Sequence, residues 1–406
     1  MVADGKQPYG HFLRIAVTVP YCFLTEAELI KARLRSGEVH YVHIRKPDCP
    51  EDTIERLLTD IPEELYGRLC LHDCFTLAQK YNIGGVHLNS RNPTPPDQWK
   101  GRVSRSCHSM AEVITAGDFD YVTLSPVFPS ISKPGYTGSL DLEKVKAYLS
   151  EPHPVPVIAL GGITEDCIDA LRYMGFDGTA MLGEAWRRRF SAEQFCLQLI
   201  TNPVSIDNAI TQAKEAIAGG CRWVQLRWKD APLDKLTEAA RQIAPLCHDS
   251  GAIFLLDDHV ELVGLTDADG VHLGKNDMPV NEARRILGPN RIIGATANTT
   301  DDIIAVAQAG ADYIGYGPFR FTTTKKNLSP VLGLEGYRKA TDFRHKHHLR
   351  LPLVAIGGIT DSDIVPIMKA GAEGIALSGS IVKTQNPAAA TAKIVNIINN
   401  IHIENT

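Results

Sequence analysis

Short apolar runs alternate with longer amphipathic stretches along the chain. In the second half, these runs predict eight strands, at residues 197–201, 223–227, 253–257, 270–273, 291–294, 313–315, 353–356 and 374–377. The stretches between them, such as 205–219 and 233–247, have the pattern of helices. Nearly continuous apolar strands that alternate with helices are typical of parallel sheets, and eight such units predict a (β/α)₈ barrel.

The chain contains an internal repeat. Three segments of the first half recur in the same order in the second half: 41–45 as 223–227, 85–88 as 270–273, and 156–164 as 352–360. The matching segments keep the same order, and the difference in residue number between them changes only slowly along the chain. This indicates duplication followed by changes in loop length. The predicted fold is therefore α/β, with two tandem (β/α)₈ TIM barrels.

The join between the two barrels is predicted from the same repeat. The segment 195–201 could be the last helix of the first barrel. However, residues 199–203 precede Arg227 by nearly the same distance as residues 15–20 precede Arg45, which makes them the first strand of the second barrel. We therefore expect one barrel at residues 1–193 and the other at residues 194–406, with no flexible linker.

The composition is that of a soluble globular protein, and it restricts the possible partners. With 406 residues, 44% of them hydrophobic and 22% charged, the chain can bury two ordinary cores. A net charge of −5 argues against general nucleic-acid binding, and the apolar runs are too short to suggest a membrane span. Nine scattered cysteines without zinc-type pairs suggest thiols in a reducing compartment. We expect a cytoplasmic protein that acts on small molecules, with a homo-oligomer or a barrel–barrel interface left open.

One loop of the second half suits an anionic ligand. Gly317 and Pro318 break the predicted strand, and three threonines followed by two lysines come next, at residues 322–326. Hydroxyl and backbone N–H groups can donate hydrogen bonds to an anion, while lysine supplies positive charge. Other basic segments, at 186–189 and 344–348, are predicted to be solvated surface.

Acidic and basic residues are predicted to meet on the rim of the second barrel. Asp258 follows the third strand and Asp277 the fourth, so their carboxylates could hold Mg²⁺ together with substrate phosphate oxygens. Gln225, Arg227 and Lys229 occupy alternate positions, which directs them to one side, towards a bound anion. This arrangement suits a metal-bound pyrophosphate.

A second anion site is predicted after the last two strands of the same barrel. The turns at 357–358 and 378–380 are rich in glycine and serine and occupy the usual phosphate position of such barrels. Two anion sites on one rim indicate two phosphorylated substrates. The chemistry indicated is displacement of pyrophosphate, assisted by Mg²⁺ and Lys325.

The second half resembles the thiamine-phosphate synthase family. The motifs that carry the resemblance occur in order at 224–229, 256–258, 268–274, 317–318 with 322–326, and 355–360. The resemblance implies a transferase that joins hydroxymethylpyrimidine diphosphate to a thiazole ethyl phosphate, giving thiamine phosphate and pyrophosphate. In that family the diphosphate ionises to a pyrimidinyl-methyl cation, which the thiazole nitrogen captures.

The resemblance also implies a role for each matching residue. Mg²⁺ would be bound by Asp258 and Asp277, and the diphosphate by Arg227, Lys229, Asp257 and Lys325. Gln225 and Thr296 would line the pyrimidine side, and the thiazole phosphate would contact Thr322, Thr324, Gly358 and the backbone at Ser378 and Gly379. Lys325, Arg227 and Thr296 are the expected catalytic residues. Asp257 stands where the family usually has Asn, and Thr296 where it usually has Ser.

The first half resembles the same superfamily, nearer to its thiazole tautomerase-like branch, but its site is altered. His43 replaces Gln225, Pro47 replaces Lys229, His72 and Asp73 replace Asp257 and Asp258, and Asn92 replaces Asp277. Ser130, Ser132 and Lys133 keep the hydroxyl-lysine loop, and Gly161 and Gly162 keep the phosphate turn. We expect a non-catalytic partner or an altered thiazole-handling site.

Three other functions are alternatives. The first barrel could isomerise the thiazole phosphate before coupling, which would make the chain bifunctional. The tautomerase branch has a histidine where this chain has Pro126. Four other histidines could take the role of that missing histidine: His43, His72, His87 and His108. A thiamine- or phosphate-binding regulatory protein is a third hypothesis, although it would not need the metal-diphosphate residues. An unrelated phosphate-sugar barrel enzyme is the fourth, and it predicts an acid-base pair that the sequence does not show.

Overall fold

The computed structural model describes residues 12–23, 25–128, 140–186, 192–321, 330–347, 349 and 351–404. The chain divides into two compact units, Met1–Arg187 and Arg188–Thr406. Each unit contains a closed barrel of eight parallel strands surrounded by helices, which confirms the predicted tandem (β/α)₈ fold. The limits 1–193 and 194–406 stay a prediction, because residues 187–191 lie outside the described ranges.

The strands of the first unit follow one another around its barrel, and the first pairs with the eighth. They are β1 (Leu13–Val17), β2 (Tyr41–Ile44), β3 (Leu69–Leu71), β4 (Gly85–Leu88), β5 (Arg102–Cys107), β6 (Tyr121–Leu124), β7 (Val157–Leu160) and β8 (Gly178–Met181). Its α-helices are α1 (Glu26–Arg35), α2 (Glu51–Thr59), α3 (Phe75–Lys80), α4 (Met110–Ile114), α5 (Leu142–Leu149) and α6 (Ile168–Tyr173).

The second unit repeats this order and closes through its own first and last strands. Its strands are β9 (Leu197–Ile200), β10 (Trp223–Leu226), β11 (Ile253–Asp257), β12 (Gly270–Leu273), β13 (Ile292–Ala297), β14 (Tyr313–Tyr316), β15 (Leu353–Ile356) and β16 (Gly374–Leu377). Its α-helices are α7 (Ala192–Phe195), α8 (Ile206–Ala218), α9 (Leu233–Asp249), α10 (Val280–Leu287), α11 (Thr300–Ala309), α12 (Gly333–Lys346), α13 (Asp361–Lys369), α14 (Gly379–Val382) and α15 (Pro387–Glu404).

Successive side chains along the strands of the second barrel point alternately to the surrounding helices and to the barrel interior, which gives two apolar layers. In β10, Val224 and Leu226 belong to the large cluster between strands and helices, whereas Trp223 belongs to a smaller cluster inside the barrel. There Trp223 stacks on Phe195 with ring centroids 4.9 Å apart and meets Tyr313 edge-on at 4.7 Å. This aromatic layer fills one part of the interior. The next inward position on β10 is Gln225, which therefore lies beyond the aromatic layer, towards the carboxyl ends of the strands.

Two sequence-based predictions of solvated surface are wrong in part. Trp186 is buried and donates its indole N–H to the Val17 carbonyl at 2.6 Å, because its large ring packs into the first core. Arg344 is also buried, and its guanidinium donates to Glu373 at 2.8 Å, which fixes the end of α12. Among the described helices, none is long and apolar enough to cross a membrane.

Candidate active site

The amide of Gln225 and the charged groups of Arg227 and Asp257 meet at the carboxyl ends of β10 and β11. The Gln225 side chain donates from Nε2 to Asp257 Oδ1 at 2.5 Å, while Arg227 Nε lies 3.2 Å from Asp257 Oδ2. The backbone N–H of Arg227 donates to Thr201 Oγ1 at 2.9 Å, which anchors the residue at the end of its strand. Asp257 therefore interacts with both of its predicted neighbours on this rim.

Gln225 also belongs to a buried hydrogen-bond network that the sequence did not predict. Its Oε1 accepts from Gln198 Nε2 at 3.0 Å, and the same Gln198 amide donates to the Tyr313 hydroxyl at 3.2 Å. His272 continues the network, with Nδ1 at 3.0 Å from that hydroxyl and Nε2 at 3.1 Å from Thr296 Oγ1. The network fixes the orientation of the Gln225 amide and connects it to Thr296, on the other side of the barrel interior.

Asp258 and Asp277 form a pair of carboxylates beside these groups. Partial burial raises the pKa of Asp258, and the charge of Asp277 raises it further, which shows that the two carboxylates repel each other. Asp258 has a left-handed backbone with φ of 56°, and its N–H donates to the His272 carbonyl at 2.9 Å. Asp277 Oδ2 accepts from the Gly274 N–H at 2.5 Å, which folds the turn after β12.

This pair fits a magnesium ion. Carboxylate oxygens are the ligands that Mg²⁺ prefers. Burial raises the pKa of Asp258 most, and a cation between the two groups would relieve the repulsion from Asp277 that raises it further. The side chain of Asp258 is 43% exposed, so water and substrate oxygens can complete the coordination. Asp257 is less suited to be a ligand, because its two oxygens already interact with Gln225 and Arg227.

The turns after β15 and β16 lie next to each other in the second barrel. Gly357 and Gly358 have positive φ values of 99° and 67°, a backbone that favours glycine. A Cβ added to Gly358 would lie 3.0 Å from the Phe321 carbonyl oxygen, so the turn packs against the first part of the loop after β14. Ser380 Oγ donates to the Ile359 carbonyl at 2.8 Å and connects the two turns. In turns of this kind, backbone N–H groups can face a phosphate.

The first residues of the predicted anion loop are anchored by a charged pair. Arg320 donates to both oxygens of Asp363, at 2.9 and 2.8 Å. Asp363 in turn accepts from the N–H of Thr360 at 2.8 Å and so caps the first turn of α13. Thr322, Thr324 and Lys325 lie outside the described residues, and their predicted roles stay predictions. Lys229 is exposed in the turn after β10.

The corresponding rim of the first barrel has different chemistry. His43 and His72 are buried, with His43 Nδ1 only 2.9 Å from His72 Nε2. Asp73, at the position of Asp258, forms an ion pair with Arg91 at 2.9 Å and accepts from Asn92 at 3.1 Å. The carboxylate pair of the second barrel is therefore replaced by an aspartate whose charge is already balanced.

The other residues predicted for the first barrel are divided between its interior and its rim. His87 is buried and lies within hydrogen-bond distance of Ser104 and Ser106, at 2.8 and 2.9 Å. His108 is exposed, with Nδ1 3.2 Å from the Ser125 carbonyl oxygen. Gly161 and Gly162 keep the positive φ values of the phosphate turn, at 94° and 65°. Ser130, Ser132 and Lys133 lie outside the described residues.

Comparison with known proteins agrees with the repeat. The thiamine monophosphate synthase family model matches residues 16–185 and again residues 197–381. A thiamine-phosphate synthase of Phocaeicola vulgatus is 56% identical over 201 residues, which cover 50% of this chain and 97% of that protein. The thiamine-phosphate synthase of Bacteroides thetaiotaomicron is 53% identical over 201 residues, 50% of this chain and 96% of the relative.

Solved structures include similar proteins. The thiamine phosphate pyrophosphorylase from Pyrococcus furiosus has 31% sequence identity and a TM-score of 0.46, over 52% of this chain and 98% of its own. The two matches to the family model, one in each barrel, together span most of the sequence. The chain therefore belongs to the thiamine monophosphate synthase family.

Proposed function

We propose that the second barrel joins hydroxymethylpyrimidine diphosphate to a thiazole ethyl phosphate and releases pyrophosphate. Membership of the family and the relatives named thiamine-phosphate synthase support the reaction. The observation that carries its assignment to the second barrel is the pair of carboxylates Asp258 and Asp277 beside Arg227. Burial raises the pKa of Asp258, and the charge of Asp277 raises it further. In the first barrel, the matching aspartate is bound to an arginine and the second carboxylate is an asparagine.

The charged residues of the rim would bind the diphosphate. Arg227 and Lys229 would contact phosphate oxygens, with Lys325 as a further cation from the loop. Asp258 and Asp277 would hold Mg²⁺, which when bound supplies positive charge that favours departure of the pyrophosphate. Arg227 is directed towards this anion by its anchored backbone and by the bond between Nε and Asp257.

The reaction breaks the bond between the pyrimidinyl methylene carbon and the diphosphate oxygen, which keeps the electron pair. The thiazole nitrogen then forms the new C–N bond with its lone pair. Gln225 would orient the pyrimidine, because Gln198 and Asp257 fix its amide on opposite sides. Thr296 would contact the same ring from the other wall, held by His272 at 3.1 Å. The Gly358 turn and the backbone at Ser378 and Gly379, with Thr322 and Thr324, would hold the thiazole phosphate.

A second candidate activity concerns the first barrel. His108 is exposed and lies beside Ser125. The residue after Ser125 is Pro126, which stands where the tautomerase-like branch has a histidine. The phosphate turn at Gly161 and Gly162 is kept. These features favour a thiazole-phosphate site in which His108 could move a proton. The chain would then be a thiazole tautomerase as well as a thiamine-phosphate synthase.

The experiment is an assay of thiamine phosphate formation by the whole chain, with Mg²⁺ or with EDTA and with each thiazole tautomer in turn. We expect Mg²⁺-dependent product that Asp258→Asn reduces by at least about 100-fold, since loss of such charge stabilisation typically costs that much. The matched variant Asp73→Asn should keep the activity. Product that is insensitive to Asp258→Asn but lost in Asp73→Asn would place the reaction in the first barrel. If His108→Ala abolished use of one tautomer only, the bifunctional alternative would be supported.

A further inference from the structure

Three histidines converge inside the first barrel, at its carboxyl end. His43 lies on β2, His72 follows β3 and His87 lies on β4, so they belong to three neighbouring strands. One ring nitrogen from each lies within 4.8 Å of those of the other two. His72 stacks on His87 with ring centroids 4.2 Å apart. We propose that His43, His72 and His87 bind one transition-metal ion of the Zn²⁺ type.

The ligand set indicates the class of metal. Imidazole suits Zn²⁺, Co²⁺, Ni²⁺ and Cu²⁺, whereas Mg²⁺ and Ca²⁺ prefer oxygen ligands. Burial is the main cause of the lowered pKa of His72, and the charges of Arg45 and Arg91 lower it further, so these two arginines lie near enough to repel a bound cation. The affinity must therefore come from the lone pairs of the imidazoles, which favours Zn²⁺ over a hard cation. Three protein nitrogens leave a fourth position for water or another ligand.

The cluster is buried inside the barrel, away from bulk water. Metal ligation requires the neutral form of each imidazole ring. Binding requires the ligand nitrogens, which lie within 4.8 Å of one another, to reach about 3.3 Å, the separation set by Zn–N bonds of about 2.0–2.1 Å.

Hydroxyl groups around the cluster can hold the non-ligating nitrogens. The Tyr121 hydroxyl oxygen lies 2.6 Å from His43 Nε2, and it can accept a hydrogen bond from Nε2–H while Nδ1 faces the ion. Ser104 and Ser106 each lie at one nitrogen of His87. The serine at the nitrogen that does not bind the ion can keep its hydrogen bond to the ring, and the other would give up its hydrogen bond when the ion binds. Such partners orient metal-bound histidines. The ion would replace the proton now shared between His43 Nδ1 and His72 Nε2 at 2.9 Å.

The cluster is a feature of the first barrel alone. His272 matches His87 in the repeat, but Gln225 and Asp257 occupy the positions of His43 and His72. A metal at this place is therefore independent of the coupling reaction proposed for the second barrel. His72 is 7% exposed and His43 and His87 are each 1% exposed, which makes His72 the ligand nearest to the barrel mouth and to entering metal.

The test uses the whole chain with two competing sites removed. The background variant carries Asp258→Asn and Asp277→Asn, which remove the second-barrel carboxylates. It also carries His345→Gln and His347→Gln, which remove two exposed histidines near the end of α12. Co²⁺ is titrated into this protein while the visible absorption bands of tetrahedral Co²⁺ are recorded, and Zn²⁺ is then added as competitor. We expect about one tightly bound Co²⁺ per chain, displaced by Zn²⁺.

Ligand variants in the same background decide the proposal. His72→Gln and, separately, His43→Gln should each weaken Co²⁺ binding by more than about 100-fold. Loss of a residue that only hydrogen-bonds to a metal ligand costs about 10–100-fold. Zn²⁺ should raise the unfolding temperature of the background protein but not of either variant. His272→Asn, the matched change in the second barrel, should leave Co²⁺ binding unchanged. Absence of Co²⁺ binding by the background protein, or equal binding by both ligand variants with folded circular-dichroism spectra, would overturn the proposal.

Discussion

Gln225 donates a hydrogen bond to Asp257 across 2.5 Å, at the ends of two neighbouring strands of the second barrel. The other oxygen of the same carboxylate lies 3.2 Å from Arg227 Nε. Asp257 therefore serves as a support for a neutral amide and a cation, although its own charge opposes the binding of a diphosphate. The family usually has an asparagine at this position, which would form the first bond without adding the negative charge.

We predict that Asp257→Asn strengthens pyrophosphate binding. A negative charge about 6 Å from an anion costs about 1–3 kcal/mol at an effective dielectric constant of about 20, so the expected gain in affinity is about 5- to 150-fold. Isothermal titration calorimetry with pyrophosphate and Mg²⁺ measures it. Asp257→Ala, which also removes the bond to Gln225, is the control and should show a smaller gain. Weaker binding by Asp257→Asn would mean that Asp257 is itself a metal ligand.

A second prediction concerns the phosphate turn. Gly358→Ala places a Cβ 3.0 Å from the Phe321 carbonyl oxygen, at a φ of 67°. We expect a loss of about 1–2 kcal/mol in stability from the left-handed backbone and a raised KM for the thiazole phosphate. Gly220→Ala is the control, because its φ is 94° but the nearest atom, of Val395, is 3.6 Å away. It should lose similar stability and keep the KM. An unchanged KM in Gly358→Ala would remove this turn from the site.

A third prediction concerns the buried ion pair of the first barrel. Lys46 Nζ donates to Glu26 Oε1 at 2.5 Å and to the carbonyls of Val19 and Tyr21, and its side chain is 0% exposed. Lys46→Met leaves the Glu26 carboxyl buried without its cation, and we expect a loss of about 3–5 kcal/mol in the free energy of unfolding. The double variant Lys46→Met with Glu26→Leu should recover part of this loss. Equal stability of the wild type and Lys46→Met in urea unfolding would contradict the account.

A fourth prediction is a pH dependence of stability. The hydrogen bond from His153 Nε2 to Asp177 Oδ2, 2.9 Å long, raises the pKa of His153 above its usual 6.5, although burial opposes this. A raised pKa means that the folded state binds the proton more tightly than the unfolded state. The stabilisation is therefore complete below about pH 6.5 and is lost as the pH rises through the folded pKa.

The variant His153→Gln checks that sign. It keeps a hydrogen-bond donor for Asp177 but cannot become charged, so it should lower stability at about pH 6 and matter little at about pH 9. Urea unfolding of both proteins across this range measures the difference. A difference in stability that grows as the pH rises would contradict the predicted direction.

Much of the fold could be predicted from the sequence, because buried parallel strands leave a continuous apolar signal. β11, β12, β15 and β16 have the predicted limits. β13 is the main difference: the predicted strand 291–294 stops at Gly294, whereas the observed strand continues to Ala297. The glycine is needed for packing, since a Cβ there would lie 2.1 Å from Tyr313 Cζ. A sequence pattern cannot distinguish such a close approach from a strand end.

The site could be predicted only as far as local motifs reach. Asp258 and Asp277 could be predicted because each follows a predicted strand. The repulsion between their carboxylates depends on the closed barrel, which brings the two strand ends together. The hydrogen-bond network through Gln198, Tyr313 and His272 depends on side chains from strands that are far apart in sequence. The only sequence feature that indicated this network was the presence of polar residues in otherwise apolar strands. The histidine cluster of the first barrel is similar, because each histidine is visible in the sequence but their convergence depends on strand register.

The most direct test compares two arginines that occupy matching positions. Arg227 and Arg45 are both half-buried, and the backbone N–H of each donates to a threonine, Thr201 or Thr18, at 2.9 Å. The measurement is kcat/KM for thiamine phosphate formation by the whole chain carrying Arg227→Ala or Arg45→Ala. We predict a loss of at least about 100-fold in kcat/KM for Arg227→Ala and wild-type turnover for Arg45→Ala. Wild-type turnover in Arg227→Ala, with activity lost in Arg45→Ala, would contradict the assignment of coupling to the second barrel.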